Sequence, residues 1–154
     1  MRSPSLPFAC LLLAAACSKS SGNKERTHED RNEPAIAAPV LALKISVAGT
    51  TSEWNADSFA AVPHHASANN AGEARDTWSL RDLVHKHVGP TARVVSVTGK
   101  DGTKPLDAAA WNDAKQTPII HTTRRGTLKF RFEDEGGKWG PSLVNDVSAL
   151  EIVQ

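Results

Sequence analysis

Both cysteines of this 154-residue chain, Cys10 and Cys17, lie within its first 17 residues. Whatever folds beyond them must do so without a disulfide, a thiolate metal ligand or a cysteine nucleophile. The stretch before Cys17 has the layout of an export signal. Arg2 gives a positive start, residues 6–16 form an 11-residue apolar run broken only by Pro7, and Ala14, Ala15 and Ala16 close it. The run is well short of the ~20 apolar residues of a membrane span and fits the ~7–15-residue core of a signal peptide. No other stretch of the sequence is long and apolar enough to cross a bilayer.

A cysteine directly after Leu-Ala-Ala-Ala resembles the lipobox of bacterial lipoproteins, in which the cysteine becomes the first residue and carries the acyl chains. The resemblance implies a signal peptide over 1–16, lipidation of Cys17, and a membrane partner reached through the lipid anchor. Ser18 stands where an aspartate would favour the inner membrane, which places the protein in the cell envelope, on the periplasmic face, with the outer membrane preferred. A plain secretory signal cut near Ala16 would instead leave Cys17 a free thiol. Residues 17–39 then read as the lipidated cysteine and a flexible tether. They are polar, Ser-rich and mixed in charge, with Pro34 and Pro39 closing them, a composition that cannot bury enough apolar area to order itself. As a coil, residues 18–39 would span roughly 25 Å.

Residues 40–154 are long enough for one domain with a core. Of 18 Lys and Arg in the chain, Arg2, Lys19, Lys24, Arg26 and Arg31 precede it, and of 17 Asp and Glu, Glu25, Glu29, Asp30 and Glu33 do, which leaves 13 of each sign. A neutral domain gives no reason to expect nucleic acid as a partner.

The pattern predicts an α+β fold, a mixed sheet with short helices. "VLALKISV" (40–47) alternates as a half-buried strand, and Gly49–Ser52 turns the chain. "NADSFAAVP" predicts a short helix capped by Asn55 and stopped by Pro63. Residues 64–77 read as loop. "WSLRDLVHKHVGP" predicts the clearest helix, with Ser79 as cap and an apolar stripe of Leu80, Leu83, Val84 and Val88. "ARVVSVTG" predicts a buried strand and "GKDGT" a tight turn, Asp107 caps a short helix through "AAAWNDA", and "PIIHTT", "TLKFRFED" and "ALEIVQ" predict three closing strands that look hairpin-connected.

The chemistry-bearing residues form three groups. His64 and His65, with Arg75, sit in the 64–77 loop, a candidate cofactor-binding segment, and with His121 the two histidines are candidate metal ligands if folding brings them together. His85 and His87 cannot share a metal, because residues two apart on a helix face apart. His87 falls on the apolar stripe and is most simply a partly buried histidine with a backbone partner, while His85 points with Arg81 to solvent. Arg124 and Arg125, followed by Lys129 and Arg131, are the densest basic patch and could hold an anion. The plainer reading is the outer face of a hairpin, since Lys129 and Arg131 alternate with inward Leu128, Phe130 and Phe132, neutralised by Glu133, Asp134 and Glu135. Trp54, Trp78, Trp111 and Trp139 are most simply packing residues. No serine-histidine-aspartate order, phosphate loop or paired-carboxylate motif stands out, so the reading leans away from an enzyme.

Residues 41–153 resemble the molybdopterin-binding domain of the sulfite-oxidase type in its small stand-alone form. The pieces come in order: "VAG" leading to "WNADSFAAVP", then "TWSLRDLVHKHVGP", "RVVSVTGKDGT", and the closing strands "GTLKFRF" and "VSALEIV". The resemblance implies that fold and, as an alternative, a molybdopterin cofactor and residual oxidoreductase activity. In the family a cysteine in the loop before the main helix ligates the metal, and the matching residues 64–77 contain none. A binding or assembly module, with another envelope protein as partner, is therefore expected over catalysis. The remaining alternative is a histidine-based metal-binding domain.

Overall fold

The computed structural model describes residues 39–68 and 72–154. The signal segment, Cys17 and all of the tether but Pro39 lie outside the described residues. The order is β1 (Leu43–Val47), β2 (Thr50–Trp54), α1 (Ala56–Ala60), β3 (His65–Ala68), β4 (Ala74–Ser79), α2 (Leu80–His87), β5 (Arg93–Gly99), β6 (Gly102–Pro105), α3 (Ala108–Asn112), β7 (Gln116–Thr122), β8 (Leu128–Asp134) and β9 (Ala149–Val153). These strands make two sheets. One has five strands ordered β2-β1-β9-β5-β6 and the other four ordered β3-β4-β7-β8. The first is mixed, because β9 runs parallel to β1 and antiparallel to β5, and the second is antiparallel throughout. The architecture is α+β with short helices, as the pattern predicts.

The caps form as read. Asn55 Oδ1 accepts from the N–H groups of Asp57 and Ser58 at 3.0 and 3.2 Å, and Ser58 Oγ returns the bond to Asn55 N–H. Ser79 Oγ accepts from Asp82 N–H at 3.2 Å, and Asp107 Oδ1 from Ala110 N–H at 2.7 Å. Each side chain satisfies helix-start donors that have no partner within the helix. Both sheets and all three helices bury one core. Ile45, Val94 and Ile152 enter from the first sheet, Ile120 and Phe130 from the second, and Phe59, Leu83 and Trp111 from the helices. All four tryptophans are buried. Among the described residues no helix is long and apolar enough to cross a membrane.

The structure corrects the reading in five places. Residues 65–68 and 74–77 are not loop, because β3 and β4 pair there as antiparallel strands, and Trp78 belongs to β4 rather than to the helix. The Ala-, Ser- and Asn-rich composition of 64–77 disfavours strand, but β4 lies against β7, and pairing with that Ile-rich strand overrides local preference. The turns read at Gly49–Ser52 and in "GKDGT" run on into β2 and β6. Both are edge strands whose residues are mostly exposed, so they carry no apolar signal. β9 is not hairpin-connected to β8. The chain instead returns along the edge of β8, where Leu143 N–H and Val147 N–H donate to Phe130 O at 3.0 Å and Leu128 O at 2.8 Å, and then joins the other sheet. Finally, Arg81 does not point to solvent. Its Nε and Nη2 donate to the carbonyls of Trp111, Asp113 and Gln116 at 2.7, 2.8 and 2.9 Å, closing the end of α3.

Gly99, at the end of β5, lies where a Cβ would run into the backbone carbonyl of Asn145 and the Val144 side chain. The same contact brings Lys100 N–H to Asn145 O at 2.9 Å, so the β5–β6 turn is packed on the segment preceding β9. Gly99→Ala should lower stability by about 1–3 kcal/mol, the cost of overpacking against atoms that cannot rotate away, read as a lower urea midpoint. Gly102→Ala, where a Cβ meets no atom but φ is +100°, should cost about 0.5–2 kcal/mol through backbone strain alone.

Candidate functional site

The outer face of the four-stranded sheet is built from alternate residues of "TLKFRFED". Phe130 pairs with Ile120 toward the core, which turns Lys129, Arg131 and Glu133 outward, with Lys129 opposite His121 and Thr77 opposite His121 on its other side. Outward here does not mean solvent. Trp139, returning along β8, lies over this face, stacked on the His121 ring at 4.2 Å, with the Arg131 guanidinium carbon 4.8 Å from its ring centre.

Glu133 holds this arrangement. Its Oε1 accepts from Ser67 Oγ at 2.8 Å and from Trp139 Nε1–H at 3.1 Å, and its Oε2 from His65 Nε2–H at 3.2 Å. Ser67 and His65 belong to β3 and Glu133 to β8, the two opposite edges of the sheet order, so the sheet curls until its edges meet at one carboxylate. Glu133 is only 8% exposed, and a buried carboxylate needs this many donors.

Beside Trp139 opens a cleft of about 630 Å³. The β7–β8 turn forms one wall. Thr123 Oγ1 accepts from the N–H groups of Arg125 and Thr127, both at 3.2 Å, and Gly126 N–H donates to Thr123 O at 3.0 Å. Gly126 takes φ +76°, the left-handed residue that closes such a turn, and the turn presents Arg124 and Arg125 at its tip. Its carbonyl also receives Val40 N–H at 3.0 Å, fastening the start of the described chain to this turn. The opposite wall is the β5–β6 turn with the segment before β9, which contribute Lys100, Asp101, Asn145 and Asp146.

Six cations line the cleft, Arg75, Lys100, Arg124, Arg125, Lys129 and Arg131, against the three carboxylates Glu73, Asp101 and Asp146. Two of the three carboxylates are engaged. Glu73 pairs with Arg75 Nη2 at 2.8 Å and with Arg124. Asp101 accepts from Asn145 Nδ2 at 2.5 Å and Asn145 N–H at 3.1 Å, and the Asn145 side-chain bond is the largest influence holding its carboxyl below the usual range. Among the described residues Lys100, Arg125 and Lys129 have no ion pair. None of the acidic run 133–135 lines the cleft. Glu133 is turned into its own bonds, and Asp134 Oδ1 is occupied by Gly136 N–H and Lys138 N–H at 3.0 and 2.8 Å.

His121 is 4% exposed and lines the cleft. Burial pushes it down to about 4; the bond to the Thr122 carbonyl opposes this, and Arg131, Lys129 and Arg75 add to it. The ring is therefore neutral at pH 7. Its Nδ1–H donates to Thr122 O at 2.9 Å, which leaves Nε2 a bare acceptor. His121 Nε2 and the Nε–H of Arg131 are both buried without a hydrogen-bond partner among the described residues. Burial lowers Arg131 as well.

The two basic candidates of the sequence, Arg75 in one segment and Arg124–Arg125 in another, thus meet in one cleft, and His121 joins them. His64 and His65 do not. The His64 ring lies 5.4 Å from Trp78, and His65 is taken by Glu133, so these two and His121 do not converge on a metal. Among the described residues no three His, Cys, Asp or Glu side chains stand together to hold one. With no cysteine in 64–77, the donor set does not fit a thiolate-bound molybdenum centre. His87 has the backbone partner expected of it, donating to Ser58 O at 2.9 Å beside Trp54, though it is exposed rather than partly buried. Sequence reasoning missed Lys100, Trp139 and the structural role of Glu133. Strand alternation places Glu133 with Lys129 and Arg131, but nothing local says that a tryptophan six residues on folds back over it.

The chain matches no family model, no curated protein and no solved structure.

Glu133→Ala would strand the buried Ser67 hydroxyl and Trp139 N–H, at about 1–3 kcal/mol for each. It should lower the urea midpoint and shift Trp139 emission, with Glu133→Gln costing less because an acceptor oxygen remains. His121 gives a pH signature. Its folded value of about 4 lies below the 6.5 of the unfolded chain, so the unfolded state takes up the proton first. Stability is complete above 6.5 and falls as pH drops toward 4. The difference in unfolding free energy between the wild type and His121→Phe should change across that window and stay flat above it, and NMR should place the His121 midpoint near 4.

Proposed function

We propose that the chain is a cell-envelope lipoprotein, anchored by lipid on Cys17, whose domain binds a small anion in the basic cleft and works in binding or assembly rather than catalysis. One observation carries this reading. A domain with balanced charge gathers six cations from four separate stretches around one cleft whose buried base holds an unpartnered donor and an unpartnered acceptor. Charges dispersed for solubility alone would not concentrate in this way, and like charges crowded together cost stability unless an anion offsets them. The resemblance to the sulfite-oxidase-type molybdopterin domain enters as the source of the scaffold, without its metal chemistry. The absent cysteine and the separated histidines support that part.

The test is calorimetric titration of the mature full-length chain in detergent with inorganic phosphate and with sulfate at low salt. At least one should bind saturably and more weakly as salt is raised. Replacing Arg125 and Lys129 together by alanine should weaken binding by about tenfold or more, roughly 1.4 kcal/mol. No binding of either anion would overturn the reading. Intact-mass analysis of the same sample should show Cys17 as an acylated first residue, and an unmodified Cys17 would remove the anchor.

A further inference from the structure

Resting on the anion-binding reading, we infer that the cleft selects an oxyanion that carries a proton, such as hydrogen phosphate, over one that carries none, and that His121 is the residue that makes the distinction. The Thr122 carbonyl holds the Nδ1–H of His121, so Nε2 can only accept. Arg131 Nε–H, on the same sheet face and against the same tryptophan, can only donate. Both are buried without partners among the described residues. An oxyanion with one hydroxyl answers both, its O–H donating to Nε2 and an unprotonated oxygen accepting from Arg131, while the surrounding cations offset its charge.

Sulfate at pH 7 has only acceptor oxygens. It would set a lone pair against the Nε2 lone pair and leave that atom buried and unsatisfied, the kind of mismatch by which a polar site rejects an analogue. A phosphodiester fails for the same reason. Both atoms are closed off from solvent, so occupancy is coupled to a shift of the Arg131 guanidinium, which Nη1 ties to Gly140 O at 3.2 Å. Because that guanidinium lies over Trp139, the shift registers in tryptophan emission.

The experiment titrates the mature full-length chain at pH 7 and equal ionic strength with inorganic phosphate, sulfate and dimethyl phosphate. Heat and tryptophan emission, with Trp139→Phe as the control that identifies the Trp139 contribution, are followed in the wild type and in His121→Phe, which keeps an aromatic ring and removes the acceptor. Phosphate should bind the wild type at least about tenfold more tightly than either of the others, and in His121→Phe that preference should vanish, phosphate binding more weakly than to the wild type and sulfate no more weakly. Equal or tighter binding of sulfate, or a phosphate preference that survives in His121→Phe, would overturn the inference and leave the anion site standing. Absence of binding by all three overturns the anion site itself. Should His121→Phe fail to fold, the nitrogen-15 shift of His121 Nε2 in the wild type decides: movement with phosphate and not with sulfate supports the inference, and no movement overturns it.

Discussion

One buried carboxylate organises the face on which the cleft is built. Without Glu133 nothing in this sheet would link β3 to β8, which stand at opposite ends of the strand order. With it, the sheet curls until Ser67 and His65 reach across to the same side chain. The third donor, Trp139 Nε1–H, comes from the segment that returns along β8, so the bond that joins the edges also fixes the indole ring over His121 and Arg131. Removing water from that ring's underside makes His121 neutral and leaves two polar atoms unpaired. A stability device at one end of the face thus prepares the chemistry at the other.

The charge distribution shows why net charge was a weak guide. Counted along the domain, the two signs balance. In space they separate, because Glu133 and Asp134 spend their oxygens on local donors while Arg75, Lys100, the β7–β8 turn and β8 all point cations toward one opening. Two of the carboxylates that remain in the cleft are engaged as well, Asp101 by Asn145 and Glu73 by two arginines.

What was legible in the sequence follows from where the signal is local. Asn55, Ser79 and Asp107 are caps whose partners lie two or three residues away, and all three behave as read. The alternation in "TLKFRFED" assigned the two faces of β8 correctly. β2 and β6 were missed because an edge strand bonds on one side only and needs no apolar residues. β3 and β4 were missed because β4 is held by β7, some 40 residues away in sequence, and β3 in turn by β4. The cleft was legible in fragments, Arg75 in one segment and Arg124 with Arg125 in another. Their meeting depends on the pairing of β4 with β7, and the opposite wall on Gly99 letting the β5–β6 turn approach, neither of which any short window encodes. Arg81 shows the same limit, since a residue that helix geometry sends outward found three carbonyls from α3 and β7.

The bond from Val40 N–H to the carbonyl of Gly126 gives the first described stretch of backbone a direct hold on the arginine-bearing turn. In a chain fastened to a bilayer upstream of Val40, tension reaches that turn before it reaches the hydrophobic interior. On the proposed anchoring, a pull from upstream would therefore load the mouth of the cleft first.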